Sequence, residues 1–379
     1  MNILITGGAG FIGSNLALKI QDLGYTVTIL DNLSKQIHGE NPKETSPLYQ
    51  SVLNANIKFI NGTVLNKGDW LKALDNQDVV VHLAAETGTG QSMYEIQKYV
   101  DVNIGGTAIL LDILANKKHS VKKVIVASSR AIYGEGKYNC EKHGIVYPIA
   151  RKEKDMANGD FECKCPICNR QVELLPTDEN SKIHPNSIYG ITKQNQEQMV
   201  MLMGKTLGVP AVALRYQNVY GPGQSLSNPY TGILSIFSNL IKSGKKINIF
   251  EDGKESRDFV YIDDVVDATI LAIEKNVANN NIYNVGSKER LTVLQVADTL
   301  NTAYNGKSEL EVSGNFRLGD IRHNIADISK IEKDMGYRPK YNFKDGINNF
   351  VKWVNEQQLR VGLSFEESIS FLKEKGLFK

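Results

Sequence analysis

Four tyrosines in this chain are followed four positions later by a lysine: Tyr94/Lys98, Tyr133/Lys137, Tyr138/Lys142 and Tyr189/Lys193. On a helix such positions share one face. The ammonium then lies close enough to the phenol to lower a pKa that is ordinarily ~10, and to hold a ribose. Tyr94/Lys98 falls on helical sequence that follows no suitable strand. Tyr133/Lys137 and Tyr138/Lys142 fall in glycine-rich or cysteine-bearing loop. Only Tyr189/Lys193 opens a sustained helical pattern, Ile188–Leu207, that feeds a strand at Ala211–Tyr216. This pair is the expected base and its helper.

A base of this kind needs a hydroxyl beside the reacting oxygen. Val124–Gly134 reads VIVASSRAIYG, an apolar strand ending in two serines. Ser129 is the better placed, with Ser128 the near alternative. The competing account is that both serines satisfy turn amides.

Residues 6–14 read TGGAGFIGS, in which Gly8-x-Gly10-x-x-Gly13 and Gly7-x-x-Gly10-x-x-Gly13 both occur. Glycine triplets alone are weak evidence. Here they follow an apolar strand and open an apolar helix, the context in which such a turn cradles a pyrophosphate. The ligand sits at the helix start, where the free amides and the dipole favour an anion. Phe11 and Ile12 lie in that first turn. Asp31 ends the second strand, 18 residues after Gly13. A carboxylate there binds the adenosine ribose hydroxyls and repels a 2′-phosphate, which favours NAD over NADP. Otherwise Asp31, beside Asn32, is a turn residue.

The elements around these residues alternate. Strands are expected at Asn2–Thr6, Thr26–Leu30, Ile57–Asn61, Val79–Leu83, Val121–Ser128 and Ala211–Tyr216, with helices at Gly13–Leu23, Asn103–Asn116 and Ile188–Leu207. Strand–helix alternation implies an α/β fold with a doubly wound parallel sheet, the Rossmann arrangement. After residue 217 the rhythm loosens into a loop at Tyr220–Tyr230. Helices are then expected near Gly232–Ser243, Asp263–Glu274 and Val293–Tyr304. This division gives a dinucleotide-binding domain over 1–217 and a mainly substrate-binding, smaller C-terminal lobe over 218–379, with room for some of its chain to return to the first domain. Ser364–Lys379 carries apolar residues at helical spacing (Phe365, Ile369, Leu372) and is expected to dock on the body.

At 379 residues the chain suits about two lobes. Its 41% apolar and 23% charged residues are ordinary for a soluble protein, and a net charge of +2 offers no nucleic-acid surface. No apolar run approaches the ~18 residues of a membrane span. The chain starts directly on a strand without a leader pattern, so a cytoplasmic location is expected.

Taken together, the glycine turn, Asp31, His82-Leu-Ala-Ala85, Ser-Ser-x-x-x-Tyr-Gly, Tyr189/Lys193 and Asn218-Val-Tyr-Gly-Pro222 resemble the extended short-chain dehydrogenase/reductase superfamily. Within it the chain resembles the nucleotide-sugar epimerase and dehydratase group, over about residues 2–345. The resemblance implies that Ser129, Tyr189 and Lys193 carry the chemistry on a nucleotide-diphosphate sugar. Gly7, Gly10, Phe11, Ile12, Gly13, Asp31, Asn32, Leu83, Ala84, Ala85 and Asn103 would join Tyr189 and Lys193 around NAD. Arg257 and Arg317 match arginines that clamp the substrate diphosphate, a task suited to bidentate guanidinium. Asn218 matches a contact to the sugar-phosphate region. Glu86, with Gln91 and Ser92, is a candidate sugar contact or plain loop polarity. A homodimer through Asn103–Asn116 and Ile188–Leu207 is the family default.

Dehydratases of the group place Asp-Glu directly after the catalytic hydroxyl, whereas Arg130-Ala131 stand here. The expected reaction is therefore 4-epimerisation through a 4-keto sugar. The alternatives are a nucleotide-sugar reductase or dehydrogenase, and a non-catalytic dinucleotide-binding protein. The acidic residue usual after the third strand is also missing, since Asn61-Gly-Thr-Val64 stands there.

Ser129 and Tyr189 are 60 positions apart, far more than in most such proteins. The extra chain, 138–178, is polar and holds Cys140-x-x-His143 and Cys165-x-x-Cys168. Two such knuckles make a tetrahedral structural zinc site. Cys163 is surplus and could replace His143 as the fourth ligand. The insertion resembles that of dTDP-L-rhamnose 4-epimerases, which makes that nucleotide sugar the first substrate to expect. His38, His82, His119, His184 and His323 show no paired metal spacing and read as surface or packing residues.

Overall fold

The computed structural model describes residues 1–226, 228, 232–306, 308–357 and 365–379, except for the side chains of residues 365, 366 and 368. Tyr230, Ser364 and the Phe365 side chain, which figured in the expectations, lie outside the described residues.

The strands are β1 (Asn2–Thr6), β2 (Thr26–Asp31), β3 (Lys58–Asn61), β4 (Val79–His82), β5 (Lys123–Ser129), β6 (Tyr138–Cys140), β7 (Gly144–Val146), β8 (Glu173–Leu174), β9 (Ala211–Tyr216), β10 (Asn218–Tyr220), β11 (Ile247–Ile249), β12 (Ser256–Tyr261), β13 (Asn281–Val285), β14 (Arg290–Thr292) and β15 (Leu310–Val312). Seven form one parallel sheet in the order β13-β9-β5-β4-β1-β2-β3. In β1, Ile3 and Ile5 pack into one apolar core while Leu4 packs into the other. Side chains alternate across a strand, so both faces of this sheet are covered, as double winding requires.

One face is covered by the helices Gly106–Asn116 and Ile188–Leu207, through residues such as Leu110, Leu114 and Val200. On the other face the helix Ile262–Glu274 packs against Phe11–Asp22. That core runs without interruption into the C-terminal half, through Val296, Leu300, Ile347 and Phe350. Strand β13 also comes from the C-terminal half yet closes the edge of the large sheet. Chain thus returns to the first half after residue 217. The remaining C-terminal strands form two small sheets, β10-β12-β14 and β11-β15. The insertion makes its own antiparallel sheet, β7-β6-β8, around Tyr138, Val146, Cys163 and Cys165.

The helix expected at Asn103–Asn116 begins earlier, in a π-helical turn Val100–Gly105. Such turns widen a helix locally. This one carries Asn103, fully buried, inward. The C-terminal helix Phe365–Glu374 docks as expected: Leu372 is buried, and the residues beyond it bring Phe378 against the ring of Phe250 at 5.1 Å. Among the described residues no helix is long and apolar enough to cross a membrane.

The helix Ile188–Leu207 starts at Ser187, whose side chain accepts from the Gly190 N–H, and stops at Gly208 in the left-handed region. It is tied to β9 by a buried bidentate pair: Arg215 Nη2 and Nε donate to Glu197 at 2.6 and 2.9 Å. Removing one partner of such a pair strands the other charge. Glu197→Ala is expected to cost ~3–5 kcal/mol in urea unfolding, and a loss within experimental error would show that this anchor is dispensable.

Candidate active site

The carboxyl ends of the central strands open into a cleft of about 690 Å³. Strand order explains its position: β1 and β4 are neighbours, so the turn after β1 and the loop after β4 face one another. Gly7, at φ +67°, approaches so closely that a Cβ would lie 2.9 Å from the Ala84 nitrogen. No other residue type fits there. Gly10 caps the helix Phe11–Asp22 without a side-chain bond, so the first-turn amides have no partner within the helix. Phe11, Ile12 and Gly13 of that turn line the cleft, the position an anion site requires.

Asp31 lies at the floor of this end. Its Oδ2 accepts from the Ala9 N–H at 3.0 Å and its Oδ1 from the Leu33 N–H at 2.8 Å. The turn role and a ribose role are therefore compatible, since a carboxylate has about four acceptor sites. His38 was expected only to pack or face solvent. It lines the cleft, 3.9 Å from Asp31 and bonded to the Ser46 hydroxyl at 2.8 Å, and burial lowers its pKa against the pull of Asp31.

At the end of β5, Ser129 accepts from the Ala131 N–H at 3.2 Å and lines the same cleft as Tyr189. Lys193 is buried one turn further along the helix and donates to the Ala127 carbonyl at 3.0 Å. Burial brings its pKa down to about 7. Burial raises that of Tyr189, opposed by the Ser129 hydroxyl and the charge of Arg130. His82 is held near 3 by burial and by the Lys193 charge. It stays neutral between Thr6 and Thr107, so it is a packing residue, as expected.

Arg257, Arg317, Asn218 and Glu86 line the same cleft. Of the expected cofactor and substrate residues, Asn103, Gln91 and Ser92 do not line it. The Asn103 side chain instead brackets the backbone of Glu86, accepting from the N–H at 2.7 Å and donating to the carbonyl at 3.1 Å, with a further bond to Thr192. It shapes the loop rather than the cleft wall. Gln91 and Ser92 are likewise buried behind the wall, where Ser92 accepts the Tyr189 N–H at 3.1 Å.

Arg130 was legible only as the absence of an acid. The structure places it in the cleft, with Nε donating to Asn218 at 2.8 Å. Burial and the nearby Arg257 lower its pKa to about 9. Phe250, also missed, lies under the Arg317 guanidinium at 4.9 Å.

In the insertion, His143 Nδ1 is 3.5 Å from both Cys140 and Cys165 sulfurs, and Cys140 is 3.8 Å from Cys168. Metal–ligand bonds of ~2.3 Å for sulfur and ~2.0–2.1 Å for nitrogen imply tetrahedral edges of about 3.8 and 3.6 Å. The four ligand atoms fit one ion. Burial opposes ionisation of Cys165, yet the Cys168 and Ile167 amides with Cys140 and His143 bring its pKa to about 6. Cys163 is not in this cluster.

A profile described as the NAD dependent epimerase/dehydratase family matches residues 3–150 and 168–286. The chain belongs to this family. It is 34% identical to a dTDP-L-rhamnose 4-epimerase of Burkholderia thailandensis, over 94% of this chain and 95% of that one. Among solved members of the epimerase/dehydratase family, UDP-glucose 4-epimerase of Thermotoga maritima with UDP-glucose is 31% identical, at a TM-score of 0.74. UDP-glucuronic acid 4-epimerase of Bacillus cereus with UDP-glucuronic acid and NAD is 29% identical, also at 0.74. Each comparison covers 94% of this chain and 99% of the other.

Asp31 generates a direct test in this epimerase/dehydratase chain. Asp31→Asn keeps the shape but removes the charge, and is expected to weaken NAD binding to cofactor-free protein by about tenfold or more while narrowing discrimination against NADP. Unchanged affinities in a fluorescence titration would reduce Asp31 to its turn role.

Proposed function

We propose that the chain is an NAD-dependent 4-epimerase of nucleotide-diphosphate sugars, with dTDP-L-rhamnose its first candidate substrate. The observation that carries this reading is the Ser129, Tyr189 and Lys193 set facing a cleft in which Arg130 and Ala131 occupy the place of a dehydratase's acid and base. NAD, when bound along the glycine turn and Asp31, supplies first the acceptor and then the donor of the C4 hydride.

The protein's own groups handle the proton. Tyr189, as phenolate, takes the proton of the C4 hydroxyl, and Ser129 hydrogen-bonds the same oxygen as it becomes a ketone. The Lys193 ammonium one turn away favours the phenolate. After the 4-keto sugar turns over, the proton returns from Tyr189 as hydride reaches the opposite face. Arg257 and Arg317 hold the diphosphate during the turn, and Asn218, with Arg130 bound to it, faces the sugar-phosphate region. No net oxidation occurs, so the cofactor would not need to exchange between turnovers. A reductase or dehydrogenase would instead release oxidised or reduced product.

Support for the substrate comes from the Burkholderia relative, which is similar over nearly the whole chain. Cys140, His143, Cys165 and Cys168 are proposed to bind one structural zinc, leaving no open position for chemistry. Reduced thiols of this kind suit the cytoplasm. Exposed Ile191 and Leu202 on the helix Ile188–Leu207 suit a homodimer through that face.

Purified protein incubated with dTDP-L-rhamnose, UDP-glucose or UDP-N-acetylglucosamine in D₂O should convert the first to its 4-epimer, with no deuterium at carbon by NMR. Tyr189→Phe should lower kcat by about 10²–10⁴-fold. Deuterium at C3 or C5, or full activity of the variant, would overturn the mechanism. Elemental analysis should find one zinc per chain, lost in Cys165→Ser. A metal-free native protein would remove the zinc assignment.

A further inference from the structure

The insertion does more than enclose its own cysteines. Between β7 and β8 it sends Arg151, Phe161 and Glu162 across to the C-terminal half. Arg151 is almost fully buried and grips Glu251 with two bonds, Nη1 to Oε2 at 2.8 Å and Nη2 to Oε1 at 2.7 Å. Its Nη2 also donates to the Asp320 carbonyl at 2.9 Å. Glu162 accepts from Arg322 Nε and Nη2 at 3.0 and 2.6 Å, and its other oxygen lies 3.2 Å from His323. Just ahead of β6, buried Glu135 accepts the Arg322 backbone N–H at 2.7 Å. The ring of Phe161 packs on Phe316 at 6.5 Å.

Glu251 in turn accepts from Arg322 Nη1 at 2.9 Å, and the other contacts fall directly on residues 316–323. The opposite side of that segment holds Arg257. Its Nη2 donates to the Ile321 carbonyl at 2.6 Å and its Nη1 to the Arg322 and Ser256 carbonyls, each at 2.9 Å. Arg317 belongs to the segment itself, stacked on Phe250 and 3.7 Å from Asp320. The Arg257 guanidinium is therefore aimed by carbonyls whose position the insertion sets. Buried charge pairs of this density have few alternative arrangements, because each unpaired member carries a desolvation cost. A segment so held presents its arginines already ordered, which removes part of the cost of ordering them on binding.

The cysteine cluster adjoins this contact. Glu162 lies three residues before Cys165, and Lys164 bridges to Gln171 across the same knuckle. Fixing Cys165 on an ion fixes the backbone that carries Glu162.

We propose that the cysteine-bearing insertion is a positioning element for the substrate diphosphate: Arg151 and Glu162 hold residues 320–323 so that Arg257 and Arg317 are preset for the anion, and metal binding at Cys140, His143, Cys165 and Cys168 tightens that hold through Glu162. This rests on the reading of Arg257 and Arg317 as the diphosphate clamp. Arg151 and Glu162 touch no substrate; they act through Arg322 and the carbonyls beside it.

The test measures binding of dTDP and UDP to the NAD-loaded protein by calorimetry, with bound NAD quantified in parallel. Glu162→Gln, which preserves shape, and Arg151→Met are expected to weaken nucleotide binding by roughly 3- to 30-fold at unchanged NAD content. Arg151→Lys should recover part of the loss, and removal of metal by a chelator should weaken binding in the same direction. Arg257→Ala serves as the control for the clamp. Wild-type affinity in Glu162→Gln and Arg151→Met, with affinity lost in Arg257→Ala, would overturn the positioning role and leave the clamp standing. Wild-type affinity in Arg257→Ala would instead overturn the clamp itself. Loss of NAD together with the nucleotide would mean general disruption and would also overturn the proposal. Full affinity after metal removal would overturn the metal's part in it.

Discussion

The ammonium of Lys193 is buried against the Ala127 carbonyl, and among the described residues no carboxylate pairs with it. A salt bridge would have neutralised it. Left uncompensated, its charge acts on its neighbours: it helps keep His82 neutral, and in the proposed reaction it would favour a phenolate one helical turn away at Tyr189. The cost of desolvating it appears as a pKa brought down to about 7. The surrounding scaffold must be rigid enough to bear that cost. The Glu197–Arg215 pair locks the helix to β9, and Ser92 holds the first turn by the Tyr189 amide.

The two halves of the chain contribute different chemistry to one cleft. The parallel sheet brings the glycine turn, Asp31 and the Ser129/Tyr189/Lys193 set to its carboxyl edge, where open α/β sheets bind ligands. The C-terminal half contributes the cations Arg257 and Arg317. Strand β13 and the helix Ile262–Glu274 tie the halves together by packing on the sheet itself. The cleft is thus walled by one continuous core, which favours a fixed geometry for transfer out and back over a short path.

Legibility in the sequence followed the range of the interactions. The helix Ile188–Leu207 and the strand Asn2–Thr6 could be bounded to the residue, because a cap, a terminal glycine and an apolar run are local signals. The cysteine cluster was legible for the same reason, each knuckle having its ligands three residues apart. The edge position of β13 was not, since a five-residue strand says nothing about which sheet it joins. Arg130 was read for what it replaced, and its bond to Asn218, 88 positions away, has no sequence signature. The contacts of Arg151 and Glu162 to the C-terminal half span 100 to 169 positions and were invisible for that reason. Asn103, expected among the cofactor residues, sits on a π-helical turn and brackets the Glu86 backbone, contacts that have no local sequence signal.

In the proposed reaction one hydride leaves C4 and the same hydride returns. A nucleotide sugar of the responding class, carrying deuterium at C4, should be incubated with the NAD-loaded protein in ordinary water. The 4-epimer should retain deuterium at C4, with no label passing to unlabelled sugar present in the same mixture. Loss of the deuterium to water, or its transfer between sugar molecules, would contradict that reaction.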